Sequence, residues 1–171
     1  MLKLKSRHRG VFAAAAIVNI LHATSAMAAT SDPTFFDAAL CDPPYSMTSA
    51  TAIYDAAEKL AKADTSSLGA AIYKFPQQIG RDGFESDEVF FANSAVGILI
   101  QGLHADELAA KYDLKSETSD LLGASKGYAR ALPDELQPPV GLAGPGKVSI
   151  VAREGEALAG KTLLACEFVP D

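Results

Sequence analysis

The sequence predicts an α+β fold, in which a single domain combines an antiparallel sheet of four to five strands with helices packed on one face. Short segments of alternating or continuous apolar residues, bounded by Gly, Pro, Asn or Asp, are typical of strands. One longer segment near residue 50 repeats apolar residues at helical spacing instead. The length of 171 residues is that of one domain, and the 49% hydrophobic content excludes a disordered or collagen-like chain.

The first 28 residues contain the three regions of an export signal in order. A basic segment without acidic residues precedes the apolar segment 11–21, which is too short for a membrane span, and the small-residue sequence Ala26-Met27-Ala28 follows. We therefore predict a bacterial signal peptide over residues 1–28, cleaved after Ala28; a short core helix or an uncleaved anchor is the alternative. The mature chain, residues 29–171, is then a single globular domain without a membrane span, located in the periplasm or secreted.

The charge of the chain narrows the classes of partner. The whole sequence has a formal net charge of −6, and loss of the four basic residues in segment 1–28 makes the mature chain −10. Nucleic-acid-binding proteins present basic surfaces to phosphates, so no nucleic-acid partner is expected. The acidic balance favours another protein with a basic surface, attracted by long-range electrostatic steering.

Two helices are predicted at the start of the mature chain. A short one includes the apolar residues of segment 35–40 and must end at Pro43-Pro44. A longer one spans residues 48–63, with Ser46 or Thr48 as its N-cap. The longer helix contains two i,i+4 pairs of opposite charge: Asp55–Lys59 and Glu58–Lys62.

Five segments are predicted as strands: residues 70–79, 88–92, 95–101, 147–153 and 161–169. Pro76 makes the first of them an edge strand or a bulge. Asn93-Ser94 supplies a two-residue hairpin connection between the second and the third. A buried helix is the alternative for residues 84–101, because short apolar runs do not distinguish the two structures.

Three further segments complete the expected organisation. Residues 105–114 are expected to form a helix with Leu108 and Tyr112 on its inner side. Residues 117–132 are expected to form a second short helix and a turn. Residues 133–146 are rich in Pro and Gly, which predicts a long irregular loop.

Cys41 and Cys166 are the two cysteines of the chain. In an oxidising compartment we expect them to form one intramolecular disulfide, which would fasten a loosely held N-terminal segment to the last strand. A redox pair is the alternative. No C-x-x-C spacing is present, however, and Cys166 alternates with Leu164 and Phe168 on one side of a predicted strand, where a thiol is inert.

Several short segments match catalytic or metal-binding motifs in part, but each lacks residues or a spacing that the motif requires. Residues 123–127 match G-x-S-x-G, but the one histidine of the mature chain precedes them, which does not fit a hydrolase triad. Residues 141–147 match G-x-x-x-x-G-K without the Ser or Thr that binds magnesium. One histidine and two paired cysteines do not supply a transition-metal site, and the acidic segment 85–88 lacks calcium-loop spacing. We therefore predict no catalytic residue, metal or cofactor.

Three residues are candidates for an interaction. His104 lies at a predicted strand-to-helix junction, a position where functional groups are common, although a capping or surface role is the alternative. Tyr128 and Arg130 precede the Pro/Gly-rich loop and form a candidate recognition patch, with a solvated helix terminus as the alternative.

These observations favour a small exported binding protein without enzymatic activity, with the size and composition of periplasmic inhibitors and immunity-type proteins. The alternative function is a small periplasmic hydrolase or lyase that uses His104 with a carboxylate. Substitution of His104 separates the two, because only the enzyme would lose an activity.

Overall fold

The computed structural model describes residues 33–44, 46–92, 94–118, 124–138 and 145–170. Within them lie three α-helices: α1 (Pro33–Ala39), α2 (Met47–Leu60) and α3 (Ala105–Tyr112). Eight strands are present in the same residues: β1 (Ala63–Asp64), β2 (Ala71–Arg81), β3 (Phe84–Ala92), β4 (Ala95–Gln101), β5 (Lys115–Glu117), β6 (Ala124–Ala131), β7 (Gly146–Gly155) and β8 (Lys161–Pro170). The predicted signal peptide and residues 139–144 of the predicted loop lie outside the described residues.

All eight strands belong to one antiparallel sheet with the order β1-β2-β3-β4-β8-β7-β6-β5. Strands β1–β4 form one meander and β5–β8 form a second, with each strand paired to its neighbour in sequence. The two meanders meet where β4 pairs with β8. The backbones approach closely there, since a Cβ on Gly97 would lie 2.5 Å from the carbonyl oxygen of Leu164.

The predicted fold class is wrong, because the sheet has eight strands rather than four to five, and strands rather than the three short helices make up most of the regular structure. Residues 124–131, predicted within a helix and a turn, form β6, in which Tyr128 pairs with Ala152 and continues a long ladder with β7. This pairing outweighs the low strand propensity of an alanine- and glycine-containing segment. The edge strands β1 and β5 have two and three residues, which is too short for a hydrophobic period to show.

The five strands that were predicted are present near their expected positions as β2, β3, β4, β7 and β8. Residues 84–101 form the hairpin of β3 and β4, with Ala92 opposite Ala95, so the alternative of a buried helix is wrong. Pro76 lies where the register between β2 and β3 shifts, between Lys74 and Ile79, which confirms the predicted bulge.

Helix α2 begins with a reciprocal capping box. The Ser46 hydroxyl accepts a hydrogen bond from the Ser49 N–H at 3.1 Å, and the Ser49 hydroxyl accepts one from the Ser46 N–H at 2.9 Å. Ser46, not Thr48, is therefore the N-cap. Among the described residues, neither of the two ion pairs predicted along this helix is formed.

The main core lies between the helices and one face of the sheet. It contains Phe35 and Phe36 of α1, which are both fully buried, and Leu108 of α3. A smaller apolar cluster lies on the opposite face and includes Phe90, Leu99, Val151, Leu158 and Leu163. Burial of each Phe or Leu side chain stabilises the fold by about 1.5–3 kcal/mol, so both faces contribute to stability.

The predicted disulfide is confirmed. Cys41, which follows α1, is bonded to Cys166 of β8 with an S–S distance of 2.10 Å, and both residues are buried. The bridge joins positions 125 residues apart in the sequence. In the part of the chain that the structure describes, no helix has the length and apolar character needed to cross a membrane.

Candidate functional site

The three candidates chosen from the sequence all lie around α3. His104 is the residue before the helix, and its backbone N–H donates to the hydroxyl of Thr162 at 2.8 Å. Its ring nitrogens are both engaged: Nδ1 lies 3.0 Å from a carboxylate oxygen of Glu107, and Nε2 lies 3.1 Å from the carbonyl oxygen of Gln101. This arrangement holds the ring against the start of the helix.

Tyr128 and Arg130 contact the two ends of α3 from strand β6. The Tyr128 hydroxyl donates to Asp106 in the first turn at 2.5 Å, and Arg130 Nε donates to the carbonyl oxygen of Tyr112 in the last turn at 3.0 Å. Hydrogen bonds from Lys126 and Tyr128 lower the pKa of Asp106, and the bond to Asp106 raises the pKa of Tyr128. These hydrogen bonds attach α3 to strand β6, because the polar groups of Tyr128 and Arg130 have partners within the protein.

A buried carboxylate that the sequence analysis missed completes this attachment. Glu154 of β7 accepts the N–H of Ala105 at 2.7 Å, which satisfies one of the unpaired donors at the start of α3. The negative charge also interacts favourably with the positive end of the helix dipole. A single glutamate near the end of a predicted strand carries no sequence signal for such a role.

A second buried charged group, also missed, lies on strand β7. Arg153 is 1% exposed; its Nε donates to Glu117 of β5 at 2.8 Å and its Nη1 donates to Glu167 of β8. Burial raises the pKa of Glu167, and the nearby guanidinium opposes that rise. Nη2 of Arg153 is buried without a hydrogen-bond partner. The group ties an edge strand to the centre of the sheet, which is a structural function.

Described residues form a pocket of about 580 Å³ beside α2, which we call the α2 pocket. The pocket is formed by the first half of α2, by the connection from β1 to the start of β2, and by the end of β3 with the start of β4. Its lining residues are Ala50, Thr51, Tyr54, Thr65, Gly69, Ala70, Ala71, Phe91, Ala92 and Ala95. The volume is within the range of about 300–1,000 Å³ that is typical of ligand sites.

Aromatic rings form the rigid wall of the α2 pocket. Tyr54 and Phe91 meet edge to face with ring centroids 5.4 Å apart, and Tyr73 contacts both of them at 5.7 Å from behind. Such pairs add about 0.5–1.5 kcal/mol each beyond the area that they bury. Tyr73 is 1% exposed, and burial raises the pKa of its phenol. The wall is therefore fixed before any ligand arrives.

The lining of the α2 pocket is mostly apolar. None of its ten lining residues is charged, and none is His, Cys or Ser. Three lining residues, Thr51, Tyr54 and Thr65, carry hydroxyl groups, while Ala70 and Ala95 form a buried apolar floor. In the described parts of the chain, no cluster of three or more His, Cys, Asp or Glu residues is arranged to hold a metal ion. No sequence pattern indicates this pocket, because five of its ten lining residues are alanines from separate segments of the chain.

Comparison with protein-family models, curated proteins and solved structures finds no match.

Proposed function

We propose that the protein is an exported binding protein without enzymatic activity, and that its partner is another protein with a basic surface. The α2 pocket is the observation that carries this proposal. It offers a preformed apolar floor and an aromatic wall, and none of its lining residues is Ser, Cys, His, Lys, Arg, Asp or Glu. Buried anchor side chains of a partner commonly fill such pockets at the centre of protein interfaces.

Charge supports a basic protein as the partner. After removal of residues 1–28 the net charge is −10, which would accelerate association with a basic surface and make the rate depend on salt. The disulfide between Cys41 and Cys166 suits an oxidising compartment such as the periplasm or the external medium. An inhibitor or an immunity-type protein is a function that fits these properties.

The alternative function, a hydrolase or lyase using His104 with a carboxylate, has one observation in its favour: Glu107 lies 3.0 Å from Nδ1 of His104. A general base also needs its second nitrogen directed at a substrate. Here Nε2 lies 3.1 Å from the carbonyl oxygen of Gln101, which it contacts as a donor. The binding function is therefore the better supported of the two.

The experiment that tests the proposal uses immobilised, oxidised mature protein exposed to a periplasmic extract of the source cells. We expect capture of a basic protein that is eluted by raising the salt concentration. Ala50→Phe, which fills the α2 pocket, should abolish capture, whereas Ala52→Phe on an exposed side of the same helix should not. His104→Ala should leave capture unchanged. Capture that is lost with His104→Ala and retained with Ala50→Phe would contradict the proposal.

A further inference from the structure

We infer that the α2 pocket receives an uncharged apolar side chain of the partner, and that Glu58 pairs with a lysine or arginine beside that side chain. This inference rests on the proposed function and specifies the chemistry of the partner segment. It follows from three features of the described residues: the lining of the pocket, the place of Glu58 on α2, and the distribution of unpaired carboxylates.

The lining excludes a charged anchor inside the pocket. The floor residues Ala70 and Ala95 and the wall residue Phe91 are buried and apolar, so a charged group seated against them would lose hydration without a compensating partner. The edges of Tyr54 and Phe91 offer contacts that suit an aromatic or branched aliphatic group.

Glu58 continues the side of α2 that lines the pocket. Ala50, Tyr54 and Glu58 follow one another at four-residue spacing, and Glu58 lies about 40° around the helix axis from Tyr54, one turn further along. Its Oε1 is 3.5 Å from the hydroxyl of Tyr73, whose ring contacts the aromatic wall. The carboxylate therefore lies next to the pocket and not within it.

The carboxylates around the pocket also lack cationic partners. Most acidic residues of the described chain form ion pairs, as Glu88 does with Lys161 and Asp106 does with Lys126. Asp55 and Glu58 of α2 form none with described residues. Asp64 of β1 accepts two hydrogen bonds from Ser66, which lower the pKa of Asp64, and it forms no ion pair within the described part of the chain.

The nearby cations do not neutralise this side of the helix. Lys59 lies about 140° around the axis from Tyr54, away from the pocket. Lys62 follows the end of the helix and makes no ion pair with a described residue. A partner lysine or arginine would thus meet Glu58 without displacing an internal cation.

Three naphthalene compounds of similar size test the inference on the oxidised mature protein: 1-naphthylmethylammonium, 1-naphthylmethanol and 1-naphthylacetate. Amide shift titration by NMR should place all saturable binding at Ala50, Ala71 and Ala92. We expect the cation to bind most tightly and the anion most weakly. Glu58→Gln should lower the affinity for the cation about two- to fivefold, the range of an exposed ion pair, and leave the alcohol unaffected.

Matched variants control for folding and for general electrostatics. Glu135→Gln, which removes an exposed and unpaired carboxylate elsewhere, should change none of the three affinities. Ala50→Phe should abolish binding and Ala52→Phe should retain it; Thr65→Tyr, which narrows the rim from an exposed loop, provides a second blocking variant if the first unfolds.

Several outcomes would overturn the inference: no saturable binding of the alcohol, equal binding of anion and cation, or an unchanged cation affinity in Glu58→Gln. These are distinct from failure of the proposed function. Normal naphthyl binding without any captured basic protein would overturn the proposed function, whereas capture that survives Ala50→Phe would show that the partner contacts another surface.

Discussion

Removal of the disulfide provides the most quantitative test of the fold. We consider the double variant Cys41→Ala and Cys166→Ala, because both sulfur atoms are buried and small apolar replacements leave no new polar group inside. Closing a loop between residues separated by 125 positions corresponds to a chain-entropy stabilisation of about 5 kcal/mol. Measured losses for native disulfides are typically about 2–5 kcal/mol, so we expect the free energy of unfolding to fall within that range.

The same variant tests the sequence-based expectation that the disulfide fastens an otherwise loosely held segment, against which the burial of α1 argues. Phe35 and Phe36 of α1 are fully buried, and together their burial contributes about 3–6 kcal/mol. The helix should therefore remain packed in the folded variant. The loss should appear in global unfolding, since the bridge acts mainly on the unfolded chain.

Urea denaturation followed by far-UV circular dichroism measures the change in the free energy of global unfolding. Amide hydrogen exchange measures the free energy of local opening of α1. Adding a reductant to the double variant is the control and should have no further effect. A loss below 1 kcal/mol would refute the loop-entropy reasoning. Exchange of the α1 amides at a much lower free energy than those of β4 would refute the argument from buried phenylalanines.

Two other substitutions test buried charge and helix capping. Arg153→Met should cost about 3–5 kcal/mol at pH 7, because Glu117 and Glu167 stay in place without their cation. Burial raises the folded pKa of Glu167 above its ordinary value of 4.5, so this group favours folding at low pH and loses that effect as pH rises through the folded pKa. Without Arg153 the folded pKa of Glu167 rises further, so the loss of unfolding free energy in Arg153→Met should be smaller at pH 5 than at pH 7. An equal loss at the two pH values would contradict this expectation. Ser46→Ala should cost about 1 kcal/mol in thermal or urea unfolding, whereas equal losses for Thr48→Ala would contradict the capping box.

Sequence patterns predicted those elements whose own residues define them. The strands with dense apolar character, such as β4, and the helix after Ser46 were found because burial and capping leave local signals. β6 was missed because its side chains toward α3 are Lys126, Tyr128 and Arg130, while its other side carries only Ser, Gly and Ala, so no large apolar residue repeats along it. Its strand structure depends on the ladder with β7, which is a tertiary contact.

Sequence patterns likewise indicated some residues of the candidate sites and missed others. His104, Tyr128 and Arg130 were chosen as chemically distinctive residues, and the structure brings all three to α3 with internal partners. The α2 pocket depends on the opposite property, the absence of bulk at positions such as Ala70 and Ala95. Small side chains have no distinctive pattern in a sequence, so a concave surface formed by several segments is visible only after folding.

The order of the strands has a consequence for how the chain could be divided. Each meander is preceded by a helix, and the connection between the two meanders is residues 102–114, near whose start Leu103 is 68% exposed. Cys41 belongs to the first part of the chain and Cys166 to the second. A protease that cut beside Leu103 would therefore produce two fragments that remain covalently joined and paired along β4 and β8. Such a nicked molecule would behave as a cross-linked pair of similar subunits, and it would come apart only when reduction and denaturation act together.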